Sequence, residues 1–203
     1  MASTGELRDM RESDIRKALL ERLTVSETKK DPLARIQEEV ELRLGAARID
    51  VAVFNGKIHG FEIKSADDTL DRLPSQIGVY NQVFEYMTLV VAGKHCERAM
   101  SLIPSWWEVL VPRQQKNGAI RFEKARPGQR NPQTIPIAQA ELLWKEEILE
   151  ILDKKGLANG VRSKPKRILW KVLSEKLSRR DLSAAIRTSM KQRPSRRAAL
   201  PSS

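Results

Sequence analysis

The chain has 203 residues, enough for one full hydrophobic core and a small second domain. Its 37 Lys and Arg against 26 Asp and Glu give a net charge of +11, which suits a polyanionic partner. A single cysteine, Cys96, excludes a disulfide framework and a multi-cysteine zinc site, and no apolar run reaches the roughly twenty residues of a membrane span.

The opening Met-Ala-Ser-Thr-Gly-Glu lacks a charged-then-apolar leader pattern, so a cytoplasmic protein is expected. Ser13–Leu23 places Ile15, Leu19, Leu20 and Leu23 on one helical face, which predicts a helix packed on a sheet. Val40–Leu44 reads as a strand with Val40 and Leu42 inward and Glu41 on the opposite side; Glu38 and Glu39 compete with Glu41 for any role there.

Arg48–Lys64 contains two strand-like runs around Asn55-Gly56, the signature of a β-hairpin. Period-two alternation puts Glu62 and Lys64 on one face and Phe61 and Ile63 on the other. Whether Asp50 joins Glu62 depends on register. A two-residue Asn55-Gly56 loop sends Asp50 to the wrong face. A three-residue Phe54-Asn55-Gly56 loop, with Gly56 left-handed as a bulge, pairs Val53 with Lys57 and makes Asp50 a diagonal neighbour of Glu62. The second arrangement is expected if the residues form one site. Two close carboxylates repel unless a cation lies between them, and oxygen ligands suit Mg²⁺ or Mn²⁺. Lys64 could then polarise a water and offset phosphate charge, as metal-assisted phosphodiester hydrolysis requires. An amphipathic hairpin with a solvated polar face is the alternative.

Leu73–Tyr86 has helical periodicity with Pro74 in the first turn, and Gln76 and Tyr80 share a face. Met87–Ala92 is a short buried strand, followed by His95-Cys96 without partner ligands at metal-site spacing. His59 reads as a packing or solvent-facing residue. Trp106-Trp107 suits either a base-stacking platform or a core anchor.

Residues 113–140 are a polar connection rich in turn residues, with a short strand at Ala119–Glu123. Helical patterns follow at Glu141–Leu152, Ile168–Leu177 and Asp181–Met190, and residues 193–203 read as a mobile basic tail. From Glu141 to Ser203 there are 16 Lys and Arg against 7 Asp and Glu, so this part holds +9 of the net charge and the rest only +2. Arg162, Lys164, Lys166 and Arg167 are its candidate phosphate contacts; a helical cap built on Trp144, Leu149 and Trp170 is compatible with the same pattern. There is no internal repeat, phosphate-binding Gly-rich loop or nucleophile elbow.

Asp50, Glu62-Ile63-Lys64 and Gln76-x-x-x-Tyr80 together resemble the motifs of the PD-(D/E)XK nuclease superfamily, in its RecB-like variant, over roughly Ile15 to Val111. The naming proline is absent; Arg48-Ile49 precede Asp50. Asp67–Pro74 and Ile103–Trp107 extend the likeness to small bacterial, phage or plasmid-associated proteins with such a core. The resemblance implies an α/β fold with a restriction-endonuclease-like αβββαβ core in residues 1–112 and a basic helical extension at 141–192. It also implies a Mg²⁺- or Mn²⁺-dependent deoxyribonuclease of DNA repair or defence against foreign DNA. Asp50 and Glu62, the Ile63 backbone carbonyl and Glu41 would hold metal, Lys64 would serve the attacking water, and Gln76 and Tyr80 would support them. The other class of function is a non-catalytic DNA-binding protein that keeps the fold.

Overall fold

Alternating apolar positions in the first half of the chain form strands, and apolar positions three and four apart form the helices that cover them. The computed structural model describes residues 10–194. Helix α1 (Glu12–Lys30) is followed by β1 (Arg35–Leu42), β2 (Ala47–Phe54), β3 (Ile58–Lys64), α2 (Leu73–Val83) and β4 (Tyr86–Val91). Next come α3 (Cys96–Leu102), β5 (Glu108–Gln114), β6 (Ile120–Arg126), α4 (Pro136–Ala140), α5 (Lys145–Lys154), α6 (Lys166–Lys176) and α7 (Arg179–Gln192). The six strands form one mixed sheet in sequence order. β3 to β5 run parallel, and the outer pairs are antiparallel hairpins. The protein is therefore α/β. No helix among the described residues is long and apolar enough to cross a membrane.

The two faces of the sheet bury different layers. Ile15, Leu19 and Leu23 of α1 pack on Val51, Val53, Phe61 and Ile63. On the other face, Tyr80 and Phe84 join Leu89 and Val91 in a cluster that runs without a break into Leu169, Leu173, Ile186 and Met190 of α6 and α7. Gly60 lies where β3 passes closest to that layer: a Cβ there would sit 2.6 Å from Met87 Sδ and 2.8 Å from Phe84 Cδ2.

Several sequence-based boundaries move. α1 continues to Lys30, and the strand expected at Val40–Leu44 runs instead from Arg35 to Leu42. Arg43 and Leu44 adopt left-handed backbone in the turn that follows, and Arg43 Nη1 ties it to Glu141 Oε1 at 2.6 Å. The residues expected to open a helix at Glu141 form the turn between α4 and α5. Trp170 is buried, as a helical cap requires, whereas Trp144 is half exposed. Arg193, expected in the mobile tail, is anchored: its guanidinium donates to Glu147 and to the Leu142 carbonyl, each at 2.7 Å. The remainder of that tail, residues 195–203, lies outside the described residues.

The β2–β3 loop corrects the expected turn. It has three residues, Asn55-Gly56-Lys57, with Phe54 opposite Ile58 and no left-handed Gly56. Asn55 decides this geometry. Its backbone N–H donates to the Lys57 carbonyl at 3.2 Å, and its side-chain amide donates to Glu27 Oε2 of α1 at 2.7 Å. The odd loop length preserves the facing that the bulge was expected to supply.

Candidate functional site

Beyond the last β2–β3 pair, Val51 with Phe61, the register sets Asp50 against Glu62 on one face of the sheet. There the ladder is replaced by a side chain, as Asp50 Oδ2 accepts from the Ile63 backbone N–H at 2.7 Å. Glu62, only 2% exposed, accepts at Oε1 from Lys64 Nζ at 2.6 Å and from Gln76 Nε2 at 2.9 Å. The Tyr80 hydroxyl, which accepts from Gln76 at 3.1 Å, donates to Glu62 Oε2 at 2.7 Å. The Arg48 carbonyl, 2.8 Å away, competes for that single hydroxyl proton. The structure thus brings Asp50, Glu62, Lys64, Gln76 and Tyr80 into one network. It leaves Glu41 exposed at the sheet edge.

Arg16 is the member that sequence reasoning missed. Projecting from α1, it donates to Asp50 Oδ1 at 2.9 Å, to Glu39 Oε1 at 2.7 Å and to Glu12 Oε1 at 2.6 Å. Glu39, placed by left-handed backbone in β1, also holds Arg48 Nε at 2.7 Å. Glu39 therefore takes the place considered for Glu41. The only local sign of Arg16 is its i, i+4 spacing from Glu12, a common surface pairing.

All four oxygens of Asp50 and Glu62 already have protein donors. Among the described residues no three or more His, Cys, Asp or Glu side chains converge as metal ligands. The expected Mg²⁺ or Mn²⁺ would have to displace Arg16 and Lys64, which already bring positive charge to these oxygens. The chemistry of the site is that of an ion network with its charges paired, in which Gln76 Oε1 alone of these side-chain atoms is buried without a partner.

Burial drives both carboxyls upward in pKa. For Glu62 the neighbouring Asp50 charge adds to burial; for Asp50 the Ile63 N–H and Arg16 oppose it without cancelling it. Burial, then Glu62, also raises the Tyr80 phenol, so it remains a donor. Each acid binds its proton more readily folded than unfolded, so its contribution to stability is complete below the ordinary carboxylate range and is lost as pH rises through the folded value. Glu27, where hydrogen bonds from Lys30 and Asn55 outweigh burial, shifts the other way and contributes the opposite slope. Glu62→Gln should therefore flatten the decline in stability from about pH 4 towards neutrality. Urea midpoints across that range check this; parallel profiles for the two proteins would contradict it.

His59, Trp106 and Trp107 serve the packing of the fold. His59 is buried, accepts or donates at Nε2 to Thr88 Oγ1 at 2.8 Å, and is kept neutral first by burial and then by Lys57 and Lys30. His95 Nε2 contacts the Ala66 carbonyl at 3.2 Å and Cys96 is a free thiol. Trp106 and Trp107 are buried, with Trp107 Nε1 donating to Asn81 Oδ1 at 3.0 Å, so they anchor the core and offer no stacking platform. Arg162, Lys164 and Arg167 are exposed around the loop ahead of α6; Arg162 pairs with Asp153, and Lys166 Nζ sits 4.8 Å above the Trp170 ring.

Fold and site define an α/β protein whose sheet carries a charge-paired carboxylate–arginine–lysine network at one end. The chain belongs to the family of bacteriophage P4 protein cII, whose model matches residues 6–200. It is 29% identical over 184 residues to protein cII of Enterobacteria phage P4, a match covering 91% of this chain and 68% of that relative. No solved structure matches it. Membership in the cII family overturns the expected PD-(D/E)XK nuclease membership, and with it the expected deoxyribonuclease activity, metal-dependent enzyme class and role in DNA repair or defence. The motif spacing is real, but its residues neutralise one another inside the fold.

Proposed function

We propose that this protein binds DNA without hydrolysing it, in the cytoplasm, on a restriction-endonuclease-like αβββαβ scaffold running from α1 to β4. The observation that carries the reading is the uneven charge, +9 of +11 within residues 141–203. Such an asymmetry favours phosphate backbones through counterion release. In this reading residues 1–112 supply the scaffold together with β6 and α4, which occupy the expected 113–140 connection, and 141–192 present cations, with Arg162, Lys164, Lys166 and Arg167 as backbone contacts. Asp50, Glu62, Lys64, Gln76 and Tyr80 hold the scaffold together, and Mg²⁺ has no step.

Incubation with closed circular DNA in Mg²⁺ or Mn²⁺, followed by removal of the protein, tests this. Retarded mobility before removal and intact circles afterwards are expected. Nicking or linearisation that Asp50→Asn abolishes would overturn the reading.

A further inference from the structure

A basic groove opens at the end of the sheet opposite the Asp50–Glu62 network. β3 runs from one to the other, Ile58 to Lys64, roughly 20 Å at strand rise. The groove encloses about 1060 Å³ between the hairpin loop, the end of α1, the segment 130–134 and the first half of α7. Six cations line it: Lys30, Lys57, Arg130, Arg179, Arg180 and Arg187. Only two acids do, Glu27 and Glu85, leaving an excess of four positive charges.

Both acids are spent as struts. Glu27 holds Lys30 and Asn55, each at 2.7 Å. Glu85, 6% exposed, accepts from the Ile58 N–H at 2.9 Å and Arg130 at 3.1 Å, and lies 3.7 Å from Arg187. Arg187 is further fixed by Ser183 Oγ at 2.6 Å, and Arg179 by the Thr134 carbonyl at 2.8 Å. A guanidinium has five N–H donors, more than these contacts use. Among the described residues Arg180 and Lys57 have no ion-pair partner, and Lys57 Nζ stands 4.5 Å over the Tyr86 ring. Arg179 and Arg180 also occupy the first turn of α7, at the positive end of the helix dipole, where Ser178 Oγ caps the Asp181 N–H and Asp181 is the one acid of the turn. Burial lowers the Lys57 pKa, which a bound phosphate would reverse.

We propose that this groove grips the phosphate backbone of one strand of bound DNA, with Arg180 and Lys57 as the contacts left open for it and Arg130 and Arg187 pre-oriented by Glu85. The inference rests on the DNA-binding reading and locates its tightest contact away from the loop ahead of α6. Paired cations at fixed positions in a concave wall give register along a strand as well as attraction.

Arg180→Ala with Lys57→Ala tests it in the full chain, by DNA binding measured against salt. Each lost phosphate contact should reduce the slope of log K against log salt by about 0.9, so the double variant should lose about two slope units at an unchanged unfolding midpoint. Arg180→Lys, which keeps the charge, should retain its share of the slope if the fold is intact. Wild-type binding with the double variant equal in affinity and slope would overturn the groove assignment and leave the DNA-binding reading standing. So would saturable binding of pyrophosphate or ATP in the groove without any effect of these variants on DNA. Absence of wild-type DNA binding even at 50 mM salt would overturn the reading itself, and the groove assignment with it.

Discussion

Lys64→Met should lower the free energy of unfolding by about 3–5 kcal/mol, the usual cost of stripping one partner from a buried ion pair. Lys64 is 6% exposed and its Nζ lies 2.6 Å from Glu62 Oε1. Without it Glu62 retains only the Gln76 and Tyr80 hydrogen bonds beside a second carboxylate, Asp50, and must take up a proton to remain buried. The penalty should therefore shrink as the pH is lowered. Glu62→Gln in the same chain should recover much of the loss, because an amide needs no counter-charge. Urea unfolding of both single variants and the double variant gives the coupling directly. A cost below about 1 kcal/mol for Lys64→Met, or strict additivity, would mean that the pair is open to water.

Trp107→Ala should cost about 3–5 kcal/mol, whereas Trp144→Ala should cost about 0.5–1 kcal/mol. Trp107 is 0% exposed, packs 6.2 Å from the Tyr80 ring and 5.9 Å from Trp106, and satisfies its indole N–H with Asn81. Truncation leaves a cavity and an unpaired amide together. Trp144 is 51% exposed and is covered on one side by the Arg193 guanidinium at 4.1 Å. Thermal unfolding compares the two. A mild Trp107→Ala variant that weakens DNA binding would instead favour the stacking role considered from the sequence.

Period-two alternation in Arg48–Lys64 and the i, i+4 spacing of Gln76 and Tyr80 made one face of the network legible, because both are local geometry. The turn between the strands was not, since Asn55 answers to Glu27, 28 residues earlier in the chain. Arg16 lay beyond reach for the same reason: its partner Asp50 is 34 residues away, and nothing local distinguishes it from a surface arginine. This omission mattered most. Read without Arg16, two carboxylates and a lysine call for a divalent cation; read with it, their charges are already met within the chain. The groove was equally hidden, as its walls draw on residues from Glu27 to Arg187. The excess charge of the last third was visible, but its contribution to a concave surface required α7 to fold back beside the β2–β3 loop.

The most direct test of DNA binding without metal chemistry is a fluorescence anisotropy titration of a labelled duplex, in EDTA and in Mg²⁺ at matched ionic strength. Saturable binding is expected with the same Kd in both, tighter than about 10⁻⁴ M at physiological salt and steeply salt-dependent. Binding that appears only with Mg²⁺ and disappears in Asp50→Asn would contradict it.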